Sequence, residues 1–170
     1  MKISIITITY NSEKTLEDTI QSVARQNYPD LEYIIVDGGS KDATLDIVKK
    51  YSNVVTKWIS EPDKGISDAF NKGIKIASGE LIGIINSDDM LTDNSLNIIA
   101  KNIKQETDVI YGNAIMFGGR EANYRCKPAD SLEVMRKRMA VVHPATFVKK
   151  SAYKIIKLKN DCAKPAYKFI

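Results

Sequence analysis

The chain has 170 residues, of which 44% are hydrophobic, and a formal net charge of +4. This length provides one hydrophobic core of ordinary size, so we expect a single domain over residues 1–170. No apolar stretch approaches the ~20 residues of a membrane span, and Met1-Lys2 leads into a strand-like segment without a secretory leader, so we expect a cytoplasmic protein. Cys126 and Cys162 lack metal-site spacing, which argues against a zinc site or disulfide framework and predicts two free thiols.

Positive charge is concentrated towards the C-terminus, where residues 149–170 contain seven lysines and the single acid Asp161. A solvated helix face and tail is the favoured interpretation. The alternative is peripheral contact with an anionic substrate or with an anionic membrane, at the inner face of the cell membrane. The lysines accompany no recognised nucleic-acid motif, so nucleic acid is not an expected partner.

Strand-like and helix-like segments alternate along the chain. Dense β-branched runs predict the strands, and apolar residues at spacings of three and four predict the helices. Asn11 or Ser12 is the expected cap of the first helix, and Ser40 that of the second. The predicted strands cover residues 2–9, 31–36, 54–60, 81–85, 109–117 and 145–148. The predicted helices cover about 12–27, 40–51, 66–77, 94–105, a short stretch around 132–139, and 151–158.

This alternation implies right-handed crossovers and a mainly parallel sheet flanked by helices, which is an α/β fold. In such sheets ligands bind beyond the carboxyl ends of the strands. Four polar clusters directly follow predicted strands and should converge on one edge. They are Tyr10-Asn11, Asp37-Gly38-Gly39, Glu61-Pro62-Asp63 and Asn86-Ser87-Asp88-Asp89.

The last of these clusters places two adjacent carboxylates, Asp88 and Asp89, at the end of an apolar run. Walker-type phosphate loops and the Gly-x-Gly-x-x-Gly fingerprint are absent, so phosphates would be bound mainly through a cation. Carboxylates suit Mg²⁺ or Mn²⁺, which keep open positions for diphosphate oxygens. A capping turn before the next helix is the alternative interpretation of the pair.

Five ordered motifs extend this pattern. They are Ile-Thr-Tyr-Asn at 8–11, Ile-Val-Asp-Gly-Gly-Ser-Lys-Asp at 35–42, Glu-Pro-Asp-Lys-Gly-Ile-Ser-Asp-Ala-Phe-Asn-Lys-Gly at 61–73, Ala-Ser-Gly-Glu at 77–80 and Asn-Ser-Asp-Asp at 86–89. Together with His-Pro-Ala-Thr-Phe-Val-Lys-Lys at 143–150, they make the chain resemble the family 2 glycosyltransferases of the GT-A fold, of the bacterial cell-surface polysaccharide type. The chain is similar to that family but C-terminally short.

The resemblance implies roles for residues at the predicted edge. The segment matching Thr9-Tyr10-Asn11 lines the nucleotide base pocket, and the acid matching Asp37 hydrogen-bonds the base, usually uracil. The acid-x-acid motif of the family falls on Asn86-Ser87-Asp88, which makes Asp88 and the adjoining Asp89 the expected metal ligands and Asn86 a neutral oxygen donor. The implied nucleotide-sugar site comprises Thr9, Tyr10, Asn11, Asp37, Gly39, Asp63, Lys64, Gly65, Asp68, Asn71, Asn86, Asp88 and Asp89.

Several of these residues have an alternative interpretation. Tyr10 either stacks on the base or packs against its own loop. Asp63-Lys64-Gly65 precedes the most periodic helix, whose N-terminus favours negative charge. Lys64 there either contacts a phosphate or is solvated, and Asp68 and Asn71 face either the donor sugar or water.

The catalytic base is unassigned. Inverting members of the family use a carboxylate to take the proton of the acceptor hydroxyl. In similar enzymes this acid lies after the segment matching residues 143–158, in a loop of the form acid-Asp-Tyr. Asp161 is the one acid in that region and lacks this context. His143, the single histidine, borders the donor and acceptor pockets by resemblance or is structural, so both remain candidates only.

Two functions fit these features. The first is metal-dependent, inverting transfer of a sugar from a nucleotide-sugar donor, with a UDP-sugar expected, to a hydroxyl acceptor such as a lipid-linked or surface glycan. The second is a nucleotide-sugar-binding domain without turnover. Residues 1–93 would form the nucleotide-binding half and residues 94–170 a shortened acceptor-side half. A sugar nucleotidyltransferase is disfavoured, because residues 6–11 supply no glycine-rich loop with a basic residue.

Overall fold

The computed structural model describes residues 1–117, 124–128 and 141–153. The strands are β1 (Ile3–Thr9), β2 (Leu31–Asp37), β3 (Lys57–Ser60), β4 (Leu81–Asn86), β5 (Val109–Tyr111), β6 (Ala114–Met116), β7 (Tyr124–Cys126) and β8 (Thr146–Lys149). The helices are α1 (Leu16–Ala24), α2 (Thr44–Lys50), α3 (Ile66–Ile76), α4 (Ser95–Asn102) and α5 (Lys150–Tyr153), with one 3-10 turn at His143–Ala145. Among the described residues, no helix is long and apolar enough to cross a membrane.

Six strands form one sheet in the order β3-β2-β1-β4-β8-β5. The first four are parallel, whereas β8 runs antiparallel to both β4 and β5. The prediction of a mainly parallel sheet is therefore confirmed. In register, Thr9 lies beside Asp37 and Ile8 beside Asn86, so the carboxyl ends of the three central strands finish at the same level.

Helices cover both faces of the sheet, as predicted. Side chains alternate along each strand, so neighbouring residues of β1 enter different clusters. Ile5 joins the cluster that packs against α1, α2 and α4, and Ile6 joins the one that packs against α3. Gly73 brings α3 close to β1, because a Cβ at this position would lie 2.5 Å from the Cγ2 atom of Ile6. The site loops thus extend from a sheet that is buried on both sides.

The predicted helix caps are wrong. The first helix begins at Leu16 and the second at Thr44, and their N-cap residues, Thr15 and Ala43, make no side-chain capping bond. The first N–H of the second helix donates instead to Asp42 Oδ1 at 3.0 Å. Ser40 instead donates its hydroxyl to the Asp37 carboxylate, which belongs to the preceding turn. A local hydrogen bond within that turn therefore competes successfully with capping.

Two other boundaries differ from the predictions. The predicted strand over 109–117 is divided between β5, which pairs with β8 in the main sheet, and β6, which pairs with β7 in a separate two-stranded sheet. The strand predicted over 54–60 begins only at Lys57. The turn at 118–119, the helix around 132–139 and most of the helix over 151–158 lie outside the described residues, as do Cys162 and the C-terminal lysines beyond Lys150.

Candidate functional site

A cleft of about 490 Å³ opens at the carboxyl ends of the central strands. Each of the four predicted polar clusters contributes to its lining, which agrees with the convergence expected from strand order. Thr9 and Asn86 end the two strands beneath the cleft, and the ring of Tyr10, which is 61% exposed, stands at its mouth. The lining also includes Ile8, Ser12, Gly38, Pro62, Asp63, Ile66, Ala69 and Ser87.

The loops that follow β1 and β2 are joined by reciprocal hydrogen bonds. Asn11 donates its backbone N–H to Ser40 Oγ at 2.8 Å, and its Oδ1 accepts the N–H of Lys41 at 2.9 Å. The N–H of Glu13 donates to the Asp42 carboxylate at 3.1 Å. The Asn11 side chain therefore holds the second loop beside the first. Its predicted contact with the nucleotide stays a prediction, and the geometry favours a supporting role.

Asp37 is fully buried at the end of β2 and organises its own turn. Its Oδ2 accepts the backbone N–H groups of Gly39 and Ser40, both at 3.0 Å, and the hydroxyl of Ser60 at 2.6 Å. Neither Asp37 nor Gly39 lines the cleft, whereas Gly38 between them does. The structure thus places the predicted base-binding acid beneath the turn, where its oxygens are already hydrogen-bonded.

The loop between β3 and α3 is held by its own acids. Asp63 Oδ1 accepts the N–H of Gly65 at 2.8 Å, and Asp68 Oδ2 accepts the N–H of Lys64 at 3.0 Å. Of the residues predicted from Asp63 to Asn71, only Asp63 reaches the cleft. Lys64 is exposed and Asn71 is half-buried on α3. The loop therefore positions Asp63, while Asp68 stabilises the start of the helix.

Lys72 is a supporting residue that the sequence reasoning missed. Its ammonium lies 3.0 Å from Glu61 and 3.6 Å from Asp68, and it donates to the carbonyl of Pro62 at 2.8 Å. Partial burial opposes its charge, but its hydrogen bond to the Glu61 carboxylate and the other nearby carboxylates raise the pKa of Lys72. Its spacing of four residues from Asp68 on a helix is a signal that could have identified the pair.

The loop after β4 contains one carboxylate that closes a turn, Asp89, and one that has no partner among the described residues, Asp88. Asp89 Oδ2 accepts the backbone N–H of Asn86 at 3.1 Å and its side-chain N–H at 3.0 Å. Burial raises the pKa of Asp89. Asp89 therefore holds its own turn and does not cap the next helix, since α4 begins at Ser95 without a side-chain cap from its N-cap residue Asn94. Asp88 is exposed, and it has no hydrogen-bond or ion-pair partner within the described part of the chain.

Two buried oxygens at the floor of the cleft, Asn86 Oδ1 and Thr9 Oγ1, have no hydrogen-bond partner in the described part of the chain. Because the Asn86 amide nitrogen donates to Asp89, its carbonyl oxygen is the atom left for another ligand. An amide oxygen and the Asp88 carboxylate are the oxygen donors that Mg²⁺ and Mn²⁺ accept, with phosphate and water completing the shell. Among the described residues, no three acidic, histidine or cysteine side chains could hold a metal together. The residues fit a cation that is bound jointly with a diphosphate.

His143 packs against α3. Its ring stacks on Phe70 with centroids 5.1 Å apart and planes 24° apart. Burial lowers the pKa of His143, and the nearby Asp89 carboxylate opposes that shift only in part. The structure thus gives His143 a packing role next to the β4 loop. Asp161 lies outside the described residues, so the catalytic base remains unassigned.

A hydroxyl pair across the cleft was not predicted as a pair. Ser12 Oγ and Ser87 Oγ are 2.8 Å apart, although the two residues are separated by 75 positions in the chain. Both residues line the cleft. This bond links the loop after β1 to the loop after β4. The sequence places both serines after strand ends but carries no signal that they meet.

Comparison with known proteins assigns this architecture. The family model described as "Glycosyl transferase family 2" matches residues 4–155. A "PGL/p-HBAD biosynthesis glycosyltransferase" of Mycobacterium tuberculosis is 33% identical over 88% of this chain and 60% of its own length. "Glycosyltransferase GlyG" of Streptococcus pneumoniae is 30% identical over 72% of this chain and 42% of its own. The chain thus spans three-fifths or less of these relatives.

Solved structures agree with the sequence comparison. S. aureus TarS in complex with UDP-GlcNAc matches 91% of this chain and 47% of its own chain, with a TM-score of 0.76 and 26% identity. A mannosyltransferase of Pyrobaculum calidifontis, in complex with GDP-Man and Mn²⁺, matches 94% of this chain and 48% of its own, with a TM-score of 0.72. At 18% identity, the second likeness concerns the fold alone.

Proposed function

The chain belongs to glycosyl transferase family 2 and has the GT-A fold, and we propose on this basis that its cleft binds a UDP-sugar. The proposed reaction transfers the sugar, with inversion, to a hydroxyl acceptor such as a lipid-linked or surface glycan during polysaccharide or glycolipid biosynthesis. The proposed location is the cytoplasmic side of the membrane. The UDP-GlcNAc complex of TarS supports the choice of donor.

One observation carries the proposal. The buried Asn86 Oδ1 lies at the floor of a cleft that can hold a small molecule and has no partner among the described residues. The exposed Asp88 carboxylate follows two residues later in the same loop, beside the cleft lining rather than within it. A buried polar atom without a hydrogen bond lowers stability by roughly 1–3 kcal/mol, so such atoms are rare outside sites where a ligand arrives. We infer that Asn86 and Asp88 hold Mn²⁺ or Mg²⁺.

Different residues at the cleft would bind the base and the diphosphate of the donor. Tyr10 presents an exposed aromatic face on which a base can stack. Asn86 and Asp88 orient the diphosphate through the divalent cation, which, when bound, neutralises charge that develops on the leaving diphosphate. The hydrogen bond between Ser12 and Ser87 keeps the two loops on either side of the diphosphate in a fixed relation.

A second function is favoured by the acids in and beside the cleft. In the described part of the chain, Asp63 and Asp89 hold their own loops, Asp88 is assigned to the cation, and His143 is stacked on Phe70. No described residue is therefore assigned as the base that activates the acceptor hydroxyl. The second candidate is a nucleotide-sugar-binding domain without turnover.

Calorimetric titration of UDP with and without Mn²⁺ tests the common part of both functions. Native protein should bind UDP more tightly with Mn²⁺, and Asp88→Ala should lose roughly tenfold or more of that affinity. Asp93→Ala is the matched control, because Asp93 follows in the same loop region and its side chain is 86% exposed. Absence of metal-stimulated binding in the native protein would contradict both functions.

Consumption of the donor distinguishes the transferase from the binding domain without turnover. Native protein, UDP-GlcNAc, Mn²⁺ and a panel of hydroxyl acceptors are incubated together, and donor consumption is followed by NMR. Consumption that requires both the acceptor and Asp88 supports the transferase. Tight binding without consumption across the panel supports the binding domain.

A further inference from the structure

Exposed apolar side chains are concentrated in one stretch of the chain, at β5 and β6. Of the eleven large hydrophobic side chains that are exposed in the described part of the chain, five fall within residues 109–117. They are Val109, Tyr111, Ile115, Met116 and Phe117. Single exposed hydrophobic residues are ordinary on a protein surface, whereas a group of them marks a surface that another molecule covers.

The strand register of β6 and β7 adds positive charge to this surface. Ile115 pairs with Arg125, and directly opposite residues of an antiparallel pair lie on the same face. Because side chains alternate along extended backbone, Phe117 and Lys127, each one residue beyond its strand, extend that face. Ile115 is 51% and Phe117 54% exposed, and both basic side chains are exposed. We call Ile115, Phe117, Arg125 and Lys127 the ribbon face.

The ribbon formed by β6 and β7 is separate from the main sheet. Among the described residues, these two strands pair only with each other. An isolated two-stranded ribbon is marginally stable in water unless its apolar face packs against something. The ribbon face therefore gains stability from a partner that accepts apolar and cationic groups side by side.

The distribution of charge indicates the chemistry of that partner. Residues 1–96, which include every residue that lines the cleft, carry 10 basic and 15 acidic side chains. Residues 97–170 carry 15 basic and 6 acidic side chains. Within residues 109–128, which contain the ribbon, three side chains are basic and one is acidic. An anionic surface would therefore attract the part of the chain that bears the ribbon and repel the part that bears the cleft.

We propose that the ribbon face docks on an anionic lipid bilayer. Ile115 and Phe117 enter the boundary between headgroups and acyl chains, while Arg125 and Lys127 contact lipid phosphates. Long basic side chains suit this arrangement, because their stems lie along apolar surface and their charges stay at the level of the headgroups. Apolar contact and charge attraction act together, since a single weak signal gives only marginal membrane binding. The inference rests on the proposed location at the membrane and does not require donor binding.

Co-sedimentation of the full chain with lipid vesicles tests this inference. One set of vesicles is pure phosphatidylcholine, and the other contains about one-third phosphatidylglycerol, which is anionic. At about 0.1 M salt, native protein should bind the anionic vesicles at least about tenfold more tightly than the neutral ones. In about 1 M salt that difference should disappear, because charges are then screened within about 3 Å.

The apolar part of the ribbon face is tested by Phe117→Ser. This variant should lower affinity for anionic vesicles on the order of fivefold to tenfold. Ile98→Ser is the matched control, because Ile98 on α4 is also 54% exposed and lies outside the ribbon. Its vesicle affinity should equal that of the native protein.

The charged part is tested by the double variant Arg125→Gln with Lys127→Gln. Affinity for anionic vesicles should fall by about fivefold for each charge, and its dependence on salt should weaken. The control Lys49→Gln with Lys75→Gln changes net charge equally, but at exposed positions on α2 and α3. It should bind like the native protein. All four variants should retain native UDP affinity in Mn²⁺, because none of the substituted residues lines the cleft.

The outcomes separate this inference from the proposed function. Vesicle binding that both ribbon variants weaken, and that both controls retain, supports the lipid assignment. Absence of binding by native protein, or an equal loss in the controls, overturns the assignment, while UDP titration tests donor binding independently. Self-association in ultracentrifugation that Phe117→Ser abolishes, without vesicle binding, would show that the ribbon face contacts a second copy instead. If one ribbon variant does not fold, the other decides against its own control.

Discussion

The two ends of the parallel sheet differ in whether every buried polar atom has a hydrogen-bond partner among the described residues. At the amino end, Glu32 on β2 is 1% exposed, and its carboxylate accepts hydrogen bonds from Ser4 Oγ at 2.5 Å, Lys57 Nζ at 2.7 Å and the Ser78 N–H at 2.6 Å. At the carboxyl end, Thr9 Oγ1 and Asn86 Oδ1 are buried without a partner. Strand β1 thus contributes Ser4 to a satisfied network at one end and carries the unsatisfied Thr9 hydroxyl at the other.

This contrast separates stability from function. A buried carboxylate stabilises a fold only when its oxygens are hydrogen-bonded, and the Glu32 carboxylate meets that condition. Its hydrogen bond from Ser78 also holds the turn before β4 against the amino end of β2. The unsatisfied oxygens at the carboxyl end destabilise the free protein, and they keep acceptors available for a ligand. Substitutions that remove a polar group of the amino-end network and one of the unsatisfied oxygens should therefore change stability with opposite sign.

The largest expected effect is at the amino end. Glu32→Gln replaces one acceptor oxygen by an amide donor that must face Lys57 or the Ser78 N–H, so it leaves buried donors unpaired. The free energy of unfolding should fall by about 3 kcal/mol. Urea unfolding followed by the fluorescence of Trp58, the single tryptophan, measures this. The control Glu80→Gln, exposed at the same end, should change stability by less than about 0.5 kcal/mol.

A pH titration of stability tests the same network by another route. Burial alone would raise the pKa of Glu32, but hydrogen bonds from Lys57, Ser4 and Ser78 outweigh burial and lower its pKa from the ordinary value of 4.5 to about 2. Because the folded pKa is lowered, the stabilisation is present above pH 4.5 and is lost as the pH falls towards 2. It amounts to about 3 kcal/mol.

The difference in unfolding free energy between native protein and Glu32→Gln should therefore shrink across that pH interval. Comparing the two proteins is necessary, because the lowered pKa values of Glu17 and Asp42 give both proteins a further loss of stability in acid. A difference that stays constant from pH 5 to pH 2 would contradict this account of Glu32.

The sequence predicts the strands themselves better than it predicts the hydrogen bonds that link them around Glu32. The strands β1, β2 and β4 follow from dense β-branched runs, and α3 follows from its helical periodicity, because these signals are local. Glu32 meets Ser78 across 46 residues of chain, a contact that no local pattern encodes. The antiparallel direction of β8 and the division of residues 109–117 between two sheets likewise depend on distant partners.

The candidate site shows the same limit. Strand order alone predicts that four polar clusters converge, because parallel strands end at one edge. Which side-chain oxygen faces the ligand depends on the conformation of each loop, and the residue pattern does not predict that conformation. Asp37 holds its own turn and Asn11 holds the loop after β2 beside the loop after β1, whereas Asp63 reaches the cleft only because Gly38 leaves room for it. Backbone geometry within the turns therefore decides which polar residues remain available.

The sharpest comparison uses one substitution at two positions of β1. Thr7 and Thr9 are both buried and lie two residues apart, on the same face of the strand. Thr7 Oγ1 shares a hydrogen bond of 3.1 Å with the buried hydroxyl of Tyr33, whereas Thr9 Oγ1 has no partner. Thr7→Val leaves the Tyr33 hydroxyl unpaired and should destabilise the protein by about 1–2 kcal/mol. Thr9→Val removes an unpaired hydroxyl and should stabilise it by about 1 kcal/mol.

For ligand binding we expect Thr9→Val, and not Thr7→Val, to be the harmful substitution. Thr9→Val should weaken UDP binding in Mn²⁺ by a few-fold, because the hydroxyl that is unpaired in the free protein lies at the cleft, whereas Thr7→Val should leave UDP affinity unchanged. Thermal unfolding and calorimetry on the two variants measure both quantities. If Thr9→Val were as destabilising as Thr7→Val, the Thr9 hydroxyl would have a partner inside the free protein. The unsatisfied oxygens at the carboxyl end would then no longer indicate where a ligand binds.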